Sequence, residues 1–589
     1  MPSTTAKSSA AAPRPGPSAL DLPLKASIGR LTHGISPAAV SGAMLDWWIH
    51  LLGSPAKQLA LRESAAKKLL SWSLYVQQSA WGACPPCIEP APQDKRFARP
   101  QWQQPPYAAL SQAFLLWEQW WREATTGVRG VARHDEDVSS FVVRQATDMA
   151  SPSNFVLGNP EVLERTASSF GLNLVQGAAN WWRDAVAVAT DGPPAGAEAF
   201  KPGETVAITP GQVVWRNRLI ELIQYTPTTP SVYPEPVLIV PSWIMKYYIL
   251  DLSPHNSLVK YLVGLGHTVF MVSWRNPGPE DRELSMEDYV ELGVFDALAA
   301  VRRVLPRSRV HAMGYCLGGT LMAIAAAALA RDDHAPLATV SLLAAQTDFK
   351  DPGELGLFID ESQIAFLEDL MSERGYLDGR QMAGAFALIN SKDLVWSKLV
   401  HEYLMGATTP LTDLRAWNAD ATRMPARMHS EYLRGLYLDN DLAEGRYQVR
   451  GKPVVLNDIA WPMYVVATER DHVSPWRSVY KIHLLTDTEL RFALTSGGHN
   501  VGVVNPAGGP VAHPGASYRV RVRAARAPYV DAQTWFDEAD VHAGSWWVDW
   551  AQWLAAHSSR RVAPPPIGGR GEKRLRPLGP APGRYVHET

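Results

Sequence analysis

The sequence predicts an α/β fold built on a parallel sheet, and three observations carry that expectation. Short apolar runs of β-forming residues recur from residue 237 onward, at 237–240, 267–274, 339–344, 463–467 and 490–494. Helical stretches separate them, the alternation a parallel sheet demands. One strand-to-helix junction, at residues 314–318, reads Gly-Tyr-Cys-Leu-Gly.

That junction lies between a strand-like run, 310–313, and an alanine-rich helix, 320–330. A strand, Gly-x-Cys-x-Gly and a helix in this order have the form of the nucleophile elbow of an α/β-hydrolase fold, with cysteine where serine usually stands. The elbow is a strained turn whose close packing leaves no room for side chains at its glycines. The helix after it points its N-terminal N–H groups at Cys316. They favour a thiolate, and the backbone N–H of Leu317 becomes one oxyanion donor. A buried structural cysteine in a Gly-rich turn is the competing reading, and the strand–helix context argues against it.

In such a fold the acid and the histidine follow the nucleophile, each just after a strand. The run 463–467 empties into Thr468-Glu469-Arg470-Asp471-His472, which makes Asp471 the candidate acid and Glu469 its rival. The run 490–494 leads into Thr495-Ser496-Gly497-Gly498-His499-Asn500, and His499 is the candidate base. It would take the proton from Cys316 while Asp471 fixes its tautomer. Sixteen histidines make a chance His cheap; order, strand context and glycine flanks together are not. His472 is the rival base. The second oxyanion donor should come from the loop after 237–240, where the backbone N–H of Ile244 is the candidate.

At 589 residues the chain exceeds one ordinary core, so two domains are expected. An apolar content of 46% suits a soluble globular protein, and a net charge of −2 gives no case for nucleic acid. The most apolar run, 321–330, is too short to span a membrane. Residues 1–25 read as a disordered Ser/Ala/Pro-rich leader without the apolar core of a signal peptide. Three cysteines and no export signal point to the cytoplasm. Cys84-Pro-Pro-Cys87 is a lone pair, read as a rigid turn with incidental thiols. No metal or nucleotide motif is present, so neither cofactor is expected.

Residues 26–195 are expected as a helical, tryptophan-rich domain, with Trp117 and Trp121 sharing a core-facing helix side. A Gly/Pro-rich boundary at 192–196 leads into a catalytic domain over 196–557. Between Cys316 and Asp471 the chain is longer than the remaining strand–helix units need. The excess, about 348–440, is expected as a mostly helical cap inserted over the site. Arg519, Arg521 and Arg523 alternate with valines as a solvated edge strand, and 558–589 reads as a flexible basic Pro/Gly-rich tail.

Several segments together resemble the polyhydroxyalkanoate synthases, which polymerise hydroxyacyl-CoA thioesters into storage polyester. They include Asp148-Met-Ala-Ser-Pro-Ser-Asn-Phe155, Lys246-Tyr-Tyr-Ile-Leu-Asp-Leu252 and Val272-Ser-Trp-Arg-Asn-Pro277. Lys392-Asp-Leu-Val-Trp396, Asp471-His472, His499, Asn505-Pro506, Gly544-Ser-Trp-Trp547 and Pro582-Gly-Arg-Tyr-Val586 extend the match. The resemblance implies a Cys316–Asp471–His499 triad and an N-terminal helical domain concerned with dimerisation and granule association. It implies (R)-3-hydroxyacyl-CoA as substrate, with no separate cofactor, and a homodimer at the surface of cytoplasmic polyester granules. A full N-terminal domain is most like the self-sufficient class I enzymes.

There are departures, as in a divergent paralogue. Ser242 and Met245 stand where the family usually carries proline and asparagine, and Asn500-Val501 follows the base where Ile-Ala is frequent. Two rival functions follow. One is a cysteine esterase, thioesterase or polyester depolymerase, since Gly-Tyr-Cys-x-Gly-Gly also occurs in dienelactone hydrolases. The other is a granule-binding paralogue that has lost turnover.

Overall fold

The apolar runs pair into a single 11-stranded sheet in the computed structural model, which describes residues 20–589 apart from 33, 83, 92, 93, 191, 390, 509–512 and 514. The strands are β1 (Gly211–Arg216), β2 (Ile220–Tyr225), β3 (Val237–Val240), β4 (Val269–Trp274), β5 (Val310–Tyr315) and β6 (Leu337–Leu343). They continue with β7 (Met463–Thr468), β8 (Leu490–Thr495), β9 (Ser517–Arg523), β10 (Asp540–Ala543) and β11 (Gly579–Pro580). Across the sheet the order is β10-β9-β8-β7-β6-β5-β3-β4-β2-β1-β11.

From β4 to β8 every neighbouring pair is parallel. These strands are buried on both faces, which is why they read as continuous apolar runs and not as alternation. β5 lies between β3 and β6, and the carboxyl ends of β3, β5, β7 and β8 open on the same edge. Crevices at that edge are where α/β sheets place their sites. The helix Leu317–Arg331 leaves β5 with every residue from Leu317 to Ala328 buried, and its alanines let it lie close to β5 and β6.

The antiparallel hairpin β1–β2 escapes the sequence pattern because two of its buried residues are polar. Glu221 accepts the N–H groups of Arg584 and Tyr585, and Gln224 accepts that of Gly568. The same contacts correct the expectation of a flexible tail. Residues 558–589 return along the sheet, bridging Val232 through Val562 and pairing β11 with β1. β9 is also not a solvated edge. β10 pairs outside it, Arg521 meets Glu538, and Arg523 donates to the carbonyls of His483, Thr486 and Thr488.

Helices span Leu22–Leu31, Pro37–Leu52, Pro55–Ser79, Tyr107–Thr125, Arg133–Met149, Pro160–Ser168 and Leu172–Ala189. The leader expected over 1–25 lies outside the described residues as far as residue 19, and the chain is helical from Leu22. Asn159 caps its helix by accepting the N–H groups of Glu161 and Val162. Phe97, Trp102, Phe114 and Leu115 form a small separate core. Trp117, expected in the core, is 41% exposed, because the helix turns Phe114, Leu115 and Leu116 inward instead.

The insertion between β6 and β7 is largely helical, with helices at Glu361–Arg374, Gly379–Ile389, Asp413–Asn418 and Ala426–Tyr432. Gly353, at φ +72°, turns the chain into it. Among the described residues, the hydrogen bonds and ion pairs joining the N-terminal helices to the rest fall on 351–407 of this insertion. Lys25 meets Asp369, Arg144 meets Glu354, Lys398 meets Asp184, and Asn180 donates to the carbonyls of Glu402 and Ala407.

Candidate active site

Cys316 sits at the tip of β5 with φ +53° and ψ −126°, backbone angles a side-chain-bearing residue seldom adopts. Its N–H donates to Leu343 O at 2.8 Å, and its carbonyl accepts Gly319 N–H at 2.8 Å, so the strained turn is fixed at both ends. A Cβ on Gly314 would strike Gly319, one on Gly318 would strike the carbonyls of Val240 and Pro241, and one on Gly319 would strike Ala345. The glycines flanking the cysteine are therefore a steric necessity.

His499 and Asp471 arrive on two adjacent loops that are stitched together. Glu469 N–H donates to Thr495 O at 3.0 Å and Arg470 N–H to Gly497 O at 2.9 Å, each extending the parallel pairing of β7 and β8 by a residue. Asp471 Oδ2 then accepts His499 Nδ1 at 2.8 Å. Thr468 Oγ1 donates to the same oxygen, while Oδ1 accepts the N–H groups of Val473 and Ser474. Gly544-Ser-Trp-Trp547 holds the far end of the histidine loop: Trp546 Nε1 donates to Gly502 O, Trp547 Nε1 to Val503 O and Ser545 Oγ to Asn505 O.

Burial opposes charge on His499, but the facing Asp471 carboxylate and a hydrogen-bonding Cys316 outweigh it and hold the imidazole well above its ordinary pKa. Burial likewise opposes charge on Asp471, yet His499 and the N–H and O–H donors keep the carboxyl below its usual range. Buried histidines elsewhere go the other way. Burial pushes His311 down to about 3 and His429 to about 4, with no carboxylate to resist it. The structure thus brings Cys316, His499 and Asp471 together. His472 and Glu469 are exposed. Leu317 is the first residue of its helix, so its N–H has no intrahelical acceptor.

The family model for the poly-beta-hydroxybutyrate polymerase (PhaC) N-terminus matches residues 93–262, a second N-terminal model of that polymerase matches 15–57, and the alpha/beta hydrolase fold model matches 235–506. A poly(3-hydroxyalkanoate) polymerase of Methylorubrum extorquens is 38% identical over 545 residues, covering 91% of this chain and 87% of that one. Polymerase subunits of Rhizobium meliloti and Cupriavidus necator are each 36% identical, covering 87% and 84% of this chain and 83% of each of those proteins. The chain belongs to the poly(3-hydroxyalkanoate) polymerase family. It is an enzyme of the acyltransferase type.

Around Cys316, the insertion between β6 and β7 supplies residues that sequence reading missed. Tyr432 and Tyr437 hydrogen-bond through their hydroxyls at 3.1 Å and lie close to Cys316. Burial above all keeps both phenols neutral. Trp243 packs edge-on against Tyr432, and Phe349 lies 4.7 Å from Tyr437. Asn500, a departure from the family pattern, accepts from Tyr315 OH at 2.6 Å and so anchors the loop beside His499. Ser242 is buried, with no hydrogen-bond partner on its hydroxyl among the described residues, and Met245 bridges Ala421 of the cap. Such contacts join side chains far apart in sequence, and no local motif announces them.

Among the described residues no group of three or more His, Cys, Asp or Glu could hold a metal ion, and no helix is long and apolar enough to cross a membrane. Cys84 and Cys87 are free thiols, Cys87 Sγ lying 3.1 Å from Gln112 Oε1.

Proposed function

We propose that the protein polymerises (R)-3-hydroxyacyl groups from their CoA thioesters into polyester, releasing CoA, through an acyl thioester on Cys316. The observation that carries this reading is the elbow cysteine meeting a carboxylate-held imidazole in a chain of this family. A free thiol near pKa 8.5 is mostly protonated at neutral pH, so the neighbouring imidazole is what makes the nucleophile. Its raised pKa favours a His499 imidazolium held by Asp471 beside Cys316.

In this mechanism the thiolate attacks the thioester carbonyl, and the oxyanion receives the N–H groups of Leu317 and Ile244. Collapse breaks the bond to the CoA sulfur, which leaves with the proton carried by His499. One thioester replaces another, so the step is close to isoenergetic. The 3-hydroxyl of a second hydroxyacyl group then gives its proton to His499 and attacks the acyl-Cys316 carbonyl. An ester forms, and the Cys316 thiolate is released for the next cycle. Asp471 stabilises the imidazolium in both halves. The largely helical insertion, with Tyr432 and Tyr437 beside Cys316, excludes water and favours the hydroxyl over hydrolysis.

The same reading has the enzyme work as a homodimer on the surface of cytoplasmic polyester granules. Exposed apolar side chains on the N-terminal helices, Trp48, Trp181 and Trp182 among them, support it. Incubation of purified protein with (R)-3-hydroxybutyryl-CoA tests the chemistry. CoA release with insoluble polymer is the expected result. CoA release with free acid would make the protein a thioesterase, and no release would make it a binder.

A further inference from the structure

The loop carrying Ile244 is tied down from two sides. On one side is the cap: Thr422 donates its hydroxyl to Trp243 O and its N–H to Ile244 O, and Trp417 Nε1 donates to Lys246 O at 2.7 Å. On the other side is the segment 584–589. Lys246 is 3% exposed, and its ammonium donates to the backbone carbonyls of Glu588 and Tyr585. A lysine is seldom buried this deeply unless it is paired. Here the direct partners are carbonyls, with the Asp420 and Glu588 carboxylates acting at longer range.

The 584–589 segment is itself fixed to three other parts of the site. Tyr585 OH donates to Asn217 O at 2.6 Å, and Glu221 accepts the N–H groups of Arg584 and Tyr585. Asn276 N–H, just beyond β4, donates to Glu588 Oε2 at 3.0 Å, and Arg423 of the cap donates to Thr589 O. Lys246 therefore joins the oxyanion-side loop to a segment that the β1–β2 hairpin, the end of β4 and the cap all hold in place.

We propose that Lys246 is a positioning residue: by holding the carbonyls of Tyr585 and Glu588 it sets loop 243–245 against Cys316, so that the Ile244 N–H is aimed at the oxyanion of the acyl-transfer intermediate. The inference rests on the reading that Cys316 is acylated through such an oxyanion. A lysine suits the task, with three donors on one compact head at the end of a flexible stem. Lys246→Met keeps much of that stem but leaves both carbonyls without their donor.

Three measurements on Lys246→Met test this. Backbone hydrogen exchange over 241–248 should quicken while the strands of the sheet exchange as before. The kcat for CoA release from (R)-3-hydroxybutyryl-CoA should fall about 10²-fold with KM little changed, the scale expected when a reacting group is misplaced by about 1 Å. Alkylation of Cys316 by iodoacetamide, which forms no oxyanion, should keep the wild-type rate. Lys246→Arg, which retains charge and donors, should recover part of kcat. A chain ending at residue 583 should repeat the pattern, and combining it with Lys246→Met should add little, since both remove the same contact.

Unchanged exchange over 241–248 in Lys246→Met overturns the proposal. So does quicker exchange with CoA release intact, or a fall in alkylation that parallels the fall in CoA release. A wild-type protein that releases no CoA refutes the reading of function instead, and exchange alone then decides whether Lys246 holds the loop.

Discussion

Behind the sheet, Trp546, Trp547 and Trp550 are fully buried, whereas in the N-terminal helices Trp48, Trp181 and Trp182 keep 49%, 53% and 65% of their surface exposed. The first group hydrogen-bonds to the histidine loop and to Ser341, filling the space between the helix Trp546–Ala556 and β7. The second group faces outward on helices whose own core is small. The sheet region stabilises itself by burying its apolar residues. The helical region buries fewer and attaches through charged and amide side chains to the cap. The same residue type is therefore packing in one region and surface in the other.

Paired substitutions, one in each region, can break this contrast. The largest effect expected is in the thiols. Cys316→Ala should abolish CoA release with the fold intact, while Cys84→Ala and Cys87→Ala retain most activity; substantial turnover by Cys316→Ala would remove the nucleophile from the sheet. Next come the histidines. His499→Gln should cost about 10²–10⁴-fold in kcat, and His472→Gln, or His134→Gln on the N-terminal helix Arg133–Met149, far less, so a reversed ranking in steady-state rates would relocate the base.

Asp471→Asn keeps the shape but loses the charge facing His499. Acylation should survive in part, because the His499 imidazole still stands beside Cys316 and a thiol is a far stronger acid than a hydroxyl, while ester formation fails. Intact mass should then show acyl-Cys316 with little polymer. Equal losses in both half-reactions would discredit that division of labour.

Stability gives the next contrast. Trp546→Ala should cost about 3–5 kcal/mol in chemical denaturation, as deletion of a buried aromatic usually does. Arg96→Met should cost about 3 kcal/mol, because it leaves Asp94, Glu118 and Asp148 with Lys392 alone between the helices and the cap. Trp182→Ala should stay within about 0.5 kcal/mol while reducing self-association or adsorption to polyester. A large loss of stability there would show that the outward tryptophans are core after all.

The smallest effect is in pH. Because its folded pKa is raised, His499 lends stability that is full below the unfolded imidazole value of about 6.5 and is lost as pH rises through the folded one. Asp471, depressed, lends stability that is present above the unfolded carboxyl value of about 3.9 and is lost as pH falls through the folded one. Melting temperature should therefore decline on the alkaline side more steeply in the wild type than in His499→Gln.

Much of the sheet was legible because its parallel strands are buried on both faces and read as unbroken apolar runs. The elbow was legible because its glycines are dictated by steric contact, and Asp471 and His499 because each follows its strand in order. The hairpin β1–β2 was not, since Glu221 and Gln224 break its apolar pattern to meet partners some 340 to 360 residues away. The return of residues 558–589 was hidden for the same reason. Pro, Gly and Arg look like a tail until their distant partners are known. Trp117 misled because an i, i+4 pair says which residues share a helix face and not which face is covered.

The backbone of Cys316 has one further consequence. Angles of +53° and −126° cost a residue with a side chain on the order of 1–3 kcal/mol, and glycine adopts them freely. Cys316→Gly should consequently melt higher than the wild type while being inert. Under the mechanism proposed above, a laboratory selection of this enzyme for heat resistance alone would be drawn toward discarding the proposed nucleophile, so any such campaign must score CoA release in every round.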